Sequence, residues 1–141
     1  MFRPLSQRVS LLVVFVCTSF AIMGCGGGAR TVTPREARGL METDTNVVVL
    51  DVRTPEEFGG ESGHLAGALL IPVQELQQRV GELAPYRKKA VIVYCRSGHR
   101  SAQAASMLSA AGFTVLDVEG GIKAWNAANL PVVRDTTGSM R

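Results

Sequence analysis

Three short apolar runs, residues 46–52, 90–94 and 113–118, constrain this chain more than any other feature. They are dominated by valine with isoleucine, leucine and one aromatic residue each in the last two, and polar residues do not alternate with apolar ones. That pattern belongs to strands buried on both faces. Stretches of helical character lie between them. Thr33-Pro34-Arg35-Glu36 carries an N-cap threonine, a proline at the first helical position and a glutamate that closes a capping box, and Ala37, Leu40 and Met41 follow at helical spacing. Thr54-Pro55-Glu56-Glu57 repeats the signal and starts a short helix. Residues 68–71 are a short strand candidate. Val73, Leu76, Val80 and Leu83 mark an amphipathic helix expected to stop near Pro85. Residues 101–111 predict a small-residue helix ended by Gly112, and Gly120-Gly121 turns the chain into a last helix carrying Trp125. Strands alternating with helices predict an α/β fold with a parallel sheet covered on both sides.

The first 24 residues are of another kind. Arg3 and Arg8 precede a mostly apolar run, residues 9–23, with no acidic residue. A run of this length is short for a membrane-spanning helix and suits a secretory signal. It ends Ile22-Met23-Gly24-Cys25, which resembles a bacterial lipobox, where the cysteine is lipidated and becomes the mature amino terminus. The expected organisation is a lipoprotein signal peptide over 1–24, the lipidated Cys25 and a flexible tether over 25–32, one domain over 33–134 and a tail over 135–141. Without the leader, 117 residues carry 13 Lys+Arg against 12 Asp+Glu. A near-neutral domain without a basic cluster predicts no nucleic-acid partner. The expected location is the bacterial cell envelope, lipid-anchored and facing the periplasm. Gly26 in place of an aspartate leans towards the outer membrane.

The chemistry concentrates in Tyr94-Cys95-Arg96-Ser97-Gly98-His99-Arg100-Ser101. A buried strand ends at a cysteine, a tight loop follows, and a helix begins at or near Ser101. Ligands of open α/β sheets bind beyond the carboxyl ends of strands, where Cys95 stands. Backbone N–H groups entering a helix form an anion cradle, and that field with Arg96 and Arg100 favours thiolate at Cys95. With Cys17 and Cys25 gone or lipidated, Cys95 is the one free thiol of the mature chain. The three cysteines with His64 and His99 make no metal-ligand spacing, so no metal site is expected.

The chain resembles the rhodanese-like (thiosulfate sulfurtransferase) family over about residues 33–133. Four motifs carry the resemblance in order: Leu50-Asp51-Val52-Arg53; Gly63-His64-Leu65-Ala66-Gly67-Ala68 with Ile71-Pro72; the Cys95 loop; and Glu119-Gly120-Gly121-Ile122-Lys123-Ala124-Trp125. The resemblance implies a five-stranded parallel sheet flanked by helices and an active-site loop from Cys95 to Arg100. It implies that the cysteine takes sulfane sulfur from a small donor such as thiosulfate, holds it as a persulfide and yields it to cyanide or a thiol, without a cofactor. Four residues separate Cys95 from Arg100. The related dual-specificity phosphatases have five, which disfavours phosphatase activity here.

Under this reading Cys95 is the nucleophile, and N–H groups from Arg96 to Ser101 stabilise the persulfide anion. Arg96 and Arg100 attract the dianionic donor. His99 either joins them when protonated or stays a solvated loop histidine. Ser97 and Ser101 bond the sulfur or cap the helix, and for Ser101 the cap is expected. Asp51 and Arg53 are supporting residues, expected to hold a loop through hydrogen bonds or an ion pair with Glu57. His64 reads as a hydrogen-bonded structural histidine and Trp125 as core. Two other functions remain open: a thiol oxidoreductase, weakened by the lack of a resolving cysteine, and a non-catalytic binding module or persulfide carrier for a protein partner.

Overall fold

The computed structural model describes residues 28–134. The signal segment, Cys17, Cys25 and the carboxyl-terminal tail lie outside the described residues.

Strands β1 (Ala29–Val32), β2 (Val47–Asp51), β3 (Leu69–Leu70), β4 (Ala90–Tyr94) and β5 (Thr114–Val118) form one parallel sheet in the order β1-β5-β4-β2-β3. Helices α1 (Pro34–Thr43), α2 (Pro55–Phe58), α3 (Val73–Arg79), α4 (His99–Ala110) and α5 (Gly121–Ala127) make the connections, with a 3₁₀ segment at Val80–Tyr86. The expected five-stranded parallel α/β architecture is therefore present. Strand alternation splits the core in two. Val48, Leu50, Val91, Val93 and Val115 pack against Leu76 of α3 and Leu108 of α4. Val49, Ile92, Tyr94 and Leu116 face Ala37 of α1 and Ile122 and Trp125 of α5. Trp125 is fully buried, as its core reading requires, and its indole N–H donates to Pro131 O at 3.0 Å.

Both threonine capping boxes form: Thr33 with Glu36 and Thr54 with Glu57. Three boundaries differ from the sequence expectation. Residues 29–32, placed in the tether, form the edge strand β1. Its neighbours are fixed by Val115 N–H donating to Gly28 O and Glu119 N–H to Val32 O. Only Val32 of that strand is buried, so hydrogen bonds rather than an apolar pattern define it. The helix expected to run to Pro85 leaves α geometry after Arg79 and continues as the 3₁₀ segment, which carries Pro85 and places Leu83 in the core. Helix α4 starts at His99, two residues before the expected position. The cap is Gly98, with φ of 108°, which contributes no side chain.

Candidate active site

The pleat decides which way Cys95 points. It follows β4 and shares the parity of Val91 and Val93, so its side chain enters the face covered by α4. Gly98 then reverses the chain into α4 and aims backbone N–H groups at the sulfur. Gly98 N–H donates to Cys95 Sγ at 3.0 Å. Burial alone would raise the Cys95 thiol. The hydroxyl and N–H of Ser101 and the N–H groups of Gly98 and Ser97 outweigh it, and the thiol lies below its ordinary value. Ser101 is fully buried in the first turn of α4, and its hydroxyl donates to Gly98 O at 3.2 Å. The expectation that Ser101 caps the helix is thus corrected: Gly98 takes the cap, and the serine faces the sulfur from inside the turn.

The loop is held from behind by α5. Ile122 N–H donates to Cys95 O at 2.9 Å and Lys123 N–H to Arg96 O at 3.1 Å. This close approach requires glycine at 121, where φ is +58° and a Cβ would stand 2.3 Å from Cys95 O. Gly120-Gly121 read as a turn in the sequence. Its second task, admitting the Cys95 loop, joins residues 26 positions apart and has no local signal.

The charged residues fall into two arrangements. Arg100 forks onto Glu57 of α2, Nη1 to Oε2 at 2.6 Å and Nη2 to Oε1 at 2.7 Å. These bonds hold the Glu57 carboxyl down at about 2. Arg53 does not pair with Glu57, as one expectation had it. Its guanidinium is buried against Asp51, with Nη2 to Oδ2 at 2.6 Å, and donates to Ser62 Oγ at 3.0 Å and Gly63 O at 2.8 Å. It lies 5.4 Å from the centre of the Tyr94 ring, on the sheet face opposite the cysteine thiol. Asp51 and Arg53 therefore hold the 62–63 loop and do not touch the sulfur. His64 is also structural: its ring stacks on Phe58 at 3.8 Å, and Nδ1 donates to Phe58 O at 3.2 Å. Arg96, Ser97 and His99 are exposed around the loop mouth.

The profile of the rhodanese-like domain family matches residues 33–128. The chain belongs to the rhodanese-like family. It is 39% identical to thiosulfate sulfurtransferase PspE of Escherichia coli K12 over 74 residues, covering 52% of this chain and 69% of that protein. It is 38% identical to a sulfurtransferase of Allochromatium vinosum over 95 residues, covering 67% of this chain and 84% of that protein. A crystal structure of a rhodanese-related protein from Thermoplasma volcanium superposes with a TM-score of 0.68 at 35% identity, covering 75% of this chain and 99% of that one.

In this rhodanese-like chain the residues from Arg96 to Ser101 contribute unequally to the site. Ser97, Gly98 and Ser101 supply the groups that act on it. Arg100 contributes a charge already paired with Glu57. Among the described residues no group of acidic, histidine and cysteine side chains is arranged to hold a metal ion.

Proposed function

We propose that this rhodanese-like protein is a sulfurtransferase that moves sulfane sulfur through a persulfide on Cys95. The observation that carries the reading is the Cys95 sulfur itself, facing the N–H groups of Ser97, Gly98 and Ser101 and the Ser101 hydroxyl beyond the end of β4. A sulfur so surrounded is favoured as an anion, both as thiolate and as persulfide. The thiolate attacks the outer sulfur of thiosulfate. A new sulfur–sulfur bond forms on Cys95, the old one breaks, and its electron pair leaves with sulfite. Cyanide or a thiolate acceptor then bonds the outer sulfur, and the electron pair of the cysteine–sulfur bond returns to Cys95 as thiolate. Every charge is accounted for without a metal or redox partner. The same proposal places the domain at the bacterial envelope, tethered through Cys25. The support for that half is the lipobox-like Ile22-Met23-Gly24-Cys25 behind an apolar segment.

The test is steady-state transfer from thiosulfate to cyanide by the wild type and by Cys95→Ser. The variant is expected to lose all measurable transfer while keeping the thermal midpoint of the wild type within a few degrees. Retention of most of the activity by the variant overturns the mechanism.

A further inference from the structure

One half-buried carboxyl lies outside everything used so far. Asp117 stands on β5 opposite Val93 of β4, two residues before Cys95. By the alternation of both strands, the side chains at 93, 95, 115 and 117 share the face covered by α4. Asp117 Oδ1 is buried and has no hydrogen-bond partner. Its carboxyl meets the hydroxyl of Ser101, the same hydroxyl that acts on Cys95. Ser101 owns one hydroxyl proton and faces three acceptors: Gly98 O, the Cys95 sulfur and the Asp117 carboxyl.

We propose that Asp117 is a positioning residue that tunes the Cys95 nucleophile through Ser101. As a carboxylate, Asp117 accepts the Ser101 proton and draws it away from the sulfur. As a carboxylic acid, Asp117 donates its own proton to Ser101 Oγ and leaves the serine proton for the sulfur anion. The anion at either end therefore disfavours the anion at the other. Burial raises the Asp117 carboxyl above its ordinary range, which brings the exchange closer to working pH, against the smaller opposing effect of Ser101. A recess of about 190 Å³, lined by Arg30 and Thr31 of β1 and by Ala102, Ala105 and Ser106 of α4, gives the carboxyl a route to solvent protons.

Few charges compete. The recess beside Asp117 brings one other ionisable side chain, Arg30 of β1, and from α4 it is lined by Ala102, Ala105 and Ser106. Around Cys95 stand Arg96, His99 and Arg100 of the loop and α4, Glu57 of α2 paired with Arg100, and the Asp51–Arg53 pair at the end of β2. Asp117→Asn alters none of these and keeps the shape of the side chain, while its amide donates permanently.

The inference rests on Cys95 being an anionic nucleophile, and its test does not depend on sulfur transfer. Full-length wild type, Asp117→Asn, Ser101→Ala and the double variant are alkylated with iodoacetamide from pH 4 to 9, and modification at Cys95 is read by peptide mass spectrometry. The variant-to-wild-type rate ratio for Asp117→Asn is expected near one at the acid end. It should rise to roughly three- to tenfold as the wild-type carboxyl ionises and return towards one once the thiol is fully ionised. In the Ser101→Ala background the same substitution should change the rate less than about twofold at every pH. A ratio that does not vary with pH, or one that persists without Ser101, overturns the proposal. A second measurement needs no change at Asp117. The carboxyl carbon of Asp117, followed by NMR in the wild type, should show a second inflection at the pH where Cys95 ionises, and Ser101→Ala should abolish it. A single inflection in the wild type contradicts the coupling.

Discussion

Arg100 and Glu57 set the charge beside the loop as a pair. Both Nη atoms of Arg100 lie on the Glu57 carboxylate, which the pairing holds at about 2, so the carboxylate stays ionised throughout the neutral range. The arginine therefore cancels a negative charge that would otherwise repel a dianionic donor. Arg100→Ala uncovers that charge, and kcat/KM for thiosulfate is expected to fall roughly five- to tenfold, mainly through KM. Adding Glu57→Gln removes the uncovered charge, and the double variant should recover to within about threefold of the wild type. Steady-state kinetics of the two variants check this; a double variant as impaired as Arg100→Ala would mean that the guanidinium itself grips the donor. Sequence spacing reveals that Arg100 ends the loop. It does not reveal Glu57, because α2 and α4 meet only in the folded chain, 43 residues apart along it. The Asp51–Arg53 pair had a local trace, since the Arg53 N–H and guanidinium both reach back two residues to Asp51.

At the scale of elements, the site is a joint between the end of β4, the first turn of α4 and the first turn of α5. Glycine makes both helix starts possible: Gly98 caps α4, and Gly121 lets α5 close on the loop. Gly121→Ala would force a Cβ into Cys95 O and Arg96 at a positive φ. A loss of about 2–4 kcal/mol of stability is expected, measured by urea unfolding, with slower alkylation of Cys95 in the fraction that remains folded. An unchanged urea midpoint would contradict the close packing of α5 on the loop. The strands β2, β4 and β5 were legible because each is buried on both faces and reads as an apolar run. The two capping boxes were legible because their residues are neighbours in sequence. Strand β1 was not, because Ala29, Arg30 and Thr31 are exposed and the strand is recognised only by its pairing with β5. The start of α4 is hidden in the sequence because Gly98 caps it by backbone conformation alone and offers no side-chain signal.

On the scale of the whole molecule, the rhodanese-like domain follows an apolar stretch, residues 9–23, and Cys25. If that cysteine carries the anchor, Cys25→Ala expressed in a bacterial host should lose fatty-acid labelling and accumulate as the unprocessed form, as read by metabolic labelling and gel mobility. Equal labelling of the variant would contradict the tether. The central proposal is that the domain carries sulfur on Cys95, the free cysteine among the described residues. It is tested most directly by peptide mass spectrometry of the full-length protein after incubation with thiosulfate. The predicted result is a gain of one sulfur atom on the peptide containing Cys95, removed by cyanide and absent from Cys95→Ser. A wild-type peptide that gains no sulfur, or a gain that survives in Cys95→Ser, would contradict it.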